Sequence, residues 1–130
     1  MEDKKIKVLM VDDEVDFTQT MAFWLKSRGY IVETASDGKS AIRMIKENMP
    51  DIIFLDLNMP VMDGAETLKR IRKFDKDLPV IIISAYVEDQ EKMKKVNAYG
   101  ISGVFYKEKD FTEGLSMLEV ALRTHKKLKK

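Results

Sequence analysis

The chain has 130 residues, 45% of them hydrophobic and 35% charged: enough length and apolar material for one ordinary domain with one core, and too little for two. Lysines and arginines number 23 against 22 aspartates and glutamates, so no global field draws the molecule to nucleic acid or a membrane surface, and partners must be recognised locally. The absence of cysteine removes disulfide and thiolate chemistry, and a single histidine argues against His-based metal centres and a Ser/His/Asp triad.

The N-terminal MEDKKIKV is charged and passes straight into a short apolar run, without the long apolar stretch of a signal peptide or membrane span, so a soluble cytoplasmic protein is expected. That run, Ile6 to Val11, reads as a first strand ending at Asp12-Asp13. Helical spacing follows around Phe17 to Lys26, closed by Gly29. At about 100° per residue Phe17, Met21 and Leu25 share one stripe, while Phe23 falls roughly 150° away and should face water. A second strand, Tyr30 to Thr34, leads through Asp37-Gly38 into a helix around Ser40 to Lys46. Pro50 precedes the third strand, Ile52 to Leu55, which ends at Asp56 and gives way to a helix around Thr67 to Phe74. Pro79 opens the fourth strand, Val80 to Ile83, followed by Ser84-Ala85. Next come a helix over Gln90 to Tyr99 closed by Gly100, and a fifth strand, Val104 to Tyr106, that runs into Lys107. Asp110 with Glu113 three residues later has the form of a capping box opening the last helix, Thr112 to Thr124. Met10 and Met93 read as adaptable core filler and His125 as exposed. The basic stretch 126–130 reads as a tail or the start of a linker, its cations suited to a helix C-terminus.

Five alternations of strand and helix, with near-continuous apolar runs in IKVLMV, DIIFL and PVIII, predict a single (β/α)5 domain over residues 1–130. Its parallel sheet should be buried on both faces by helices. In such a sheet the loops at the carboxyl ends of the strands surround the ligand crevice, so the residues to read are Asp12-Asp13, Asp56, Ser84-Ala85 and Lys107. Taken singly each has a bland reading: a helix cap, a solvated turn, a surface charge. Together on one rim, carboxylates about 5 Å apart repel by roughly 3 kcal/mol at an effective dielectric near 20. Lys107 and a hard divalent cation with oxygen ligands are the candidates to offset this, and few carboxylates plus a phosphate oxygen suit Mg²⁺. A carboxylate beside Mg²⁺, a hydroxyl and a lysine is equipped for phosphoryl transfer, with Asp56 as nucleophile, Asp12 and Asp13 on the metal, and Ser84 and Lys107 on the phosphate oxygens.

The blocks VLMVDDE, DIIFLDLNMPVMDG, IIISA and YK, each ending or following a strand, resemble the response-regulator receiver domains of two-component signalling from end to end. The third is the most specific, because D-x-x-M-P-x-x-D-G joins the acceptor to the Pro60 turn and Gly64. The resemblance implies a flavodoxin-like, doubly wound sheet of order 2-1-3-4-5, for which a member of this family is the general example. It makes Asp12 and Asp13 the acidic pair, Asp56 the phosphorylated acceptor, Asn58 a Mg²⁺ ligand through its backbone carbonyl, Ser84 the switch hydroxyl and Lys107 the phosphate-contacting lysine. The implied donor is a histidine kinase or histidine phosphotransfer domain, and the implied activity is switched binding by a phosphoacceptor that assists its own phosphorylation and dephosphorylation, not an enzyme. Contact of this domain with nucleic acid or membrane is not expected.

Two departures from the family fall on the fifth strand and its exit. The usual Phe or Tyr three residues before the lysine is Val104, and the usual Lys-Pro is Lys107-Glu108, where a trans bond is expected because cis costs about 2.5–4 kcal/mol before a residue other than proline. Two other readings compete. A degenerate receiver would be a constitutive interaction module, against which the intact quintet counts. A haloacid-dehalogenase-like phosphatase would want D-x-D on its nucleophile strand, whereas Asp56 is followed by Leu57-Asn58.

Overall fold

Apolar runs and amphipathic stretches alternate as the pattern requires: β1 Lys7–Val11, α1 Val15–Ser27, β2 Ile31–Ala35, α2 Gly38–Glu47, β3 Ile52–Asp56, α3 Gly64–Ile71, β4 Val80–Ser84, α4 Gln90–Tyr99, β5 Gly103–Tyr106 and α5 Phe111–Lys129. The structure, a computed structural model, describes residues 5–85 and 90–129, with side chains as far as Thr124. The expected exposure of His125, the charges of the basic stretch 126–130 and the loop residues 86–89 lie outside that description. No described helix is long and apolar enough to cross a membrane.

All neighbouring strands pair in parallel, in the order β2-β1-β3-β4-β5, the doubly wound flavodoxin-like arrangement that the resemblance implies. Side chains alternate across the sheet with a period of two, so each strand feeds two cores. Leu9, Val11, Ile53, Leu55 and Ile82 pack under Ala41 and Ile45 of α2, Leu68 and Ile71 of α3, and Val96 of α4. Val8, Met10, Phe54, Ile81, Ile83 and Phe105 pack against Met21 and Leu25 of α1 and Leu118 and Leu122 of α5. Every residue of β3 and β4 is buried, which is why those strands read as continuous apolar runs rather than alternating ones. Each such large side chain contributes about 1.5–3 kcal/mol by leaving water. Met10 is fully buried and Met93 packs on the core edge, both as filler.

The helix ends follow local chemistry. At the close of α1 the amide of Gly29 donates to the Lys26 carbonyl at 3.0 Å and that of Tyr30 to the Leu25 carbonyl at 3.3 Å, a Schellman motif. It needs the left-handed backbone that Gly29 adopts at φ 98°. Most boundaries move by one or two residues from the sequence reading, but α5 runs to Lys129, five residues past Thr124, and α3 is displaced as a whole. Helix α3 begins and ends three residues earlier than Thr67 to Phe74, because the Asp63 carboxylate accepts from the Glu66 amide at 2.9 Å and starts the helix at Gly64. At its other end Arg72 leaves the helix and donates from Nε to the Tyr99 carbonyl at 3.0 Å and from Nη2 to the Gly100 carbonyl at 2.8 Å, tying α3 to the end of α4. Asp110 does cap α5, but it accepts from the amide of Thr112 at 3.2 Å, while the Glu113 amide donates to the Asp110 carbonyl at 2.9 Å. The cap therefore acts one residue earlier than a capping box would.

Candidate functional site

Parallel pairing delivers the expected residues to one edge. Asp56 lies opposite Ile83 and Ser84 opposite Tyr106, so the ends of β3, β4 and β5 are level. The ladder runs past the strands: the Leu57 amide donates to the Ile83 carbonyl and the Lys107 amide to the Ser84 carbonyl, each at 2.9 Å. On the other side of β3, Val11 pairs with Leu55, which carries Asp12 to the same rim.

Carboxylate oxygens of Asp12, Asp13 and Asp56 gather within 4.8 Å of one another. Asp12 and Asp56 are 2% and 4% exposed, so two carboxyl groups are removed from water side by side, while Asp13 is exposed. Lys107 Nζ lies 3.0 Å from Asp12 Oδ2 and 3.9 Å from Asp56 Oδ2, and it pairs closely with the carboxylate of Glu14. Apart from that ammonium, the buried Asp12 Oδ2 has no hydrogen-bond partner among the described residues. The ring of Phe17, 5.1 Å from Nζ, supports the ammonium from α1. Neither Glu14 nor Phe17 was assigned a role from the sequence. The only signal for Glu14 is the third acid of the VDDE run, and its partner lies 93 positions away.

Burial, reinforced by the charge of Asp12, pushes the Asp56 carboxyl up to about 8, against the downward pull of Lys107 and of the Asn58 amide. Burial alone draws the Lys107 ammonium down, but Glu14, Asp12 and Asp56 outweigh it and hold the group above its ordinary value. Lys107 is thus charged, and one ammonium serves the carboxyl groups of Asp12, Asp56 and Glu14, with Asp13 beside them. The donors are hard oxygens, the charge is in excess, and a buried oxygen lacks a hydrogen bond. All three features fit a divalent cation of the Mg²⁺ type.

Ser84 is fully buried, and its hydroxyl has no hydrogen-bond partner among the described residues, an arrangement that costs about 1–3 kcal/mol unless something else supplies one. Asn58 follows the acceptor on an exposed loop; its amide donates to Asp56 Oδ1 at 3.3 Å and its side-chain oxygen accepts from Lys92 Nζ at 3.0 Å. Lys92 also lies 3.3 Å from Asp63 Oδ2, so α4 touches the acceptor loop at two points the sequence did not flag. The loop then makes a γ-turn at Val61, φ 70°, with the Met62 amide donating to the Pro60 carbonyl at 2.8 Å. It returns to β3 at Gly64, where a Cβ would stand 2.3 Å from the Asp56 carbonyl oxygen. Glycine is therefore required there by the acceptor's own backbone. No peptide bond in the described residues is cis, so the bond after Lys107 is trans as expected.

A family model described as response regulator receiver domain matches residues 8–119, which takes in every residue of this rim. The chain belongs to that family. This receiver is 44% identical over 79 residues to the transcriptional regulatory protein PrrA of Mycobacterium tuberculosis, a match covering 61% of the chain and 34% of PrrA. It thus spans about a third of that relative. Among solved structures it resembles the chemotaxis protein CheY4 of Vibrio cholerae, with TM-score 0.81 and 32% identity over 91% of this chain and 99% of that one. A receiver domain from Methanospirillum hungatei superposes with TM-score 0.90 over 95% of this chain and 98% of its own, and at 21% identity supports the fold alone. Receivers are the response-regulator modules of two-component systems, and the rim described above is where this one carries its chemistry-bearing residues.

Proposed function

We propose that this receiver accepts a phosphoryl group on Asp56 from a phosphohistidine of a histidine kinase or histidine phosphotransfer domain, with Mg²⁺ as cofactor, and changes its partner-binding surface when it does. The observation that carries this reading is the buried Asp56 carboxyl group on one rim with a second buried carboxyl group, a charged lysine and a hydroxyl that has no partner among the described residues. Asp12, Asp13 and Asp56, with the backbone carbonyl of Asn58, would hold the ion. Bound there, it supplies positive charge against the three carboxylates and against the phosphoryl oxygens.

Asp56 in its ionised form attacks phosphorus in line with the histidine nitrogen; the P–O bond forms as the P–N bond breaks, and the leaving imidazole nitrogen keeps the electron pair and takes a proton. Lys107, already charged and oriented by Glu14 and Phe17, stabilises the negative charge on the equatorial oxygens. Ser84 donates its hydroxyl, which has no partner among the described residues, to one of those oxygens. The domain therefore acts as a phosphoacceptor that assists its own phosphorylation and dephosphorylation, in the cytoplasm, rather than as an enzyme turning over a separate substrate. Its output is recognition of another protein and not contact with nucleic acid.

Incubation with acetyl phosphate and Mg²⁺ should add one phosphoryl group, read as intact mass, and Asp56→Asn should remove most of that gain. Undiminished labelling of Asp56→Asn would reject Asp56 as acceptor, and absence of any labelling of the unaltered chain would favour a constitutive interaction module.

A further inference from the structure

Between α2 and α3 lies a groove of about 500 Å³ that the phosphoryl-transfer chemistry does not use. Ile42, Met62 and Phe74 line it together with Lys39, Lys46, Lys73 and the Glu66–Arg70 pair. All three lysines are exposed, and among the described residues none is ion-paired with a carboxylate. Lys46 rests over the Phe74 ring at 5.0 Å, whereas Arg70, also in the wall, is already neutralised by Glu66 at 2.9 Å. A second hollow, of about 410 Å³ against Pro60, Val61 and Met62, shares Lys39 and Met62 with the first. The two hollows therefore adjoin, with Val61, entirely open to solvent, in one and Phe74, 40% exposed, in the other. In a chain whose charges otherwise nearly cancel, this is a local cationic patch around a hydrophobic strip.

The spacing of the cations identifies the kind of ligand. Lys39 and Lys46 are seven positions apart on α2, about two helical turns or ~10 Å, and Lys73 lies on the opposite wall. That backbone spacing is wider than cations gathered around one phosphate require. The three lysines flank an apolar strip along its length, which is the complement of an amphipathic helix with an apolar stripe and carboxylates on both sides of it. We propose that the groove between α2 and α3 docks an acidic amphipathic helix of a partner protein, with apolar side chains against Ile42, Met62 and Phe74 and carboxylates facing Lys39, Lys46 and Lys73. Arg70 is held by Glu66 and the Phe74 ring is covered by Lys46, so neither is free to stack on a base, which disfavours a nucleic acid as the occupant. Pro60, Val61 and Met62 lie on the loop that follows Asp56, but the lysines, Ile42 and Phe74 stand on or just beyond α2 and α3, so a titration of the unphosphorylated chain tests this surface apart from phosphorylation at Asp56.

The test uses the whole chain, labelled with ¹⁵N, and a synthetic helix of about 18 residues, long enough to be helical in water, carrying Leu and Phe on one stripe with Glu on its flanks. Parallel titrations use the same peptide with Gln for Glu, ATP, and a duplex DNA of arbitrary sequence. The expected result is saturable shifting of the amides of Lys39, Ile42, Met62 and Phe74 by the acidic peptide at low salt. Affinity should fall roughly tenfold for the Gln peptide and for the Lys39→Glu, Lys46→Glu, Lys73→Glu triple variant. The amide spectrum of the variant itself reports that it remains folded. Three results would overturn the proposal: no shifts in the groove, equal binding of the Gln peptide, or stronger groove shifts with ATP or duplex than with the peptide.

Discussion

Asp12 and Asp56 are buried side by side, and Lys107 divides its single charge among them and Glu14. The imbalance has a pH signature. With the metal removed, the folded-state value of Asp56 is raised from 3.8 to about 8, so between those limits the unfolded chain has released a proton that the folded chain still holds. Unfolding then becomes easier as pH rises, because the stability this group contributes is complete below about 4 and lost through about 8. Urea unfolding in chelator should show stability falling over that window; Asp56→Asn should flatten the profile, and Mg²⁺ should restore stability at its alkaline end. A chelated protein whose stability rises through the same window would contradict the burial and charge assigned to Asp56. Of the site residues, Asp12, Asp13, Asp56, Ser84 and Lys107 were legible because each ends or follows an apolar run. Glu14 was not, since its role depends on the first turn of α1 lying over the exit of β5, a tertiary fact without a local trace.

At the scale of elements, α1 and β5 make separable expectations. Phe23 is 75% exposed on α1, as the helical spacing required, on the helix that also brings Phe17 to Lys107. If α1 receives the phosphodonor, Phe23→Ala slows transfer from a cognate kinase and leaves labelling by acetyl phosphate unchanged; equal rates from that kinase would dispose of this docking face. On β5, Val104 is a half-buried aliphatic packed on the core shared with α3 and α4, where a switching ring would be expected in this family. Activation should therefore be carried by Ser84 and the segment that follows it, with small change at Val104. Structures with and without beryllofluoride and Mg²⁺ decide the matter, because a large displacement centred on Val104 with Ser84 unmoved contradicts it. The boundaries of α3 were read three residues late for a specific reason: Asp63-Gly64 looks like a turn in sequence, yet Asp63 is the cap and Gly64 is held against the Asp56 backbone.

For the molecule as a whole, the apolar runs contained the strands and the alternation contained the parallel, two-faced sheet, because burial on both sides leaves a mark at every position of β3 and β4. Strand order left no such mark, since periodicity does not say which strand lies beside which; it came from the motif blocks, and the pairing of β1 with both β2 and β3 bears it out. The α2–α3 groove was invisible to sequence for the same reason, its lysines and apolar floor being brought together only by packing. Everything in the functional reading depends on one carboxylate receiving the phosphoryl group. Borohydride reduction of the acetyl-phosphate-treated protein converts an aspartyl phosphate to homoserine, and tandem mass spectrometry of the digest locates it. Homoserine at position 56 is the expected result; homoserine at 12, 13 or another aspartate, with Asp56 intact, would contradict the assignment of the acceptor.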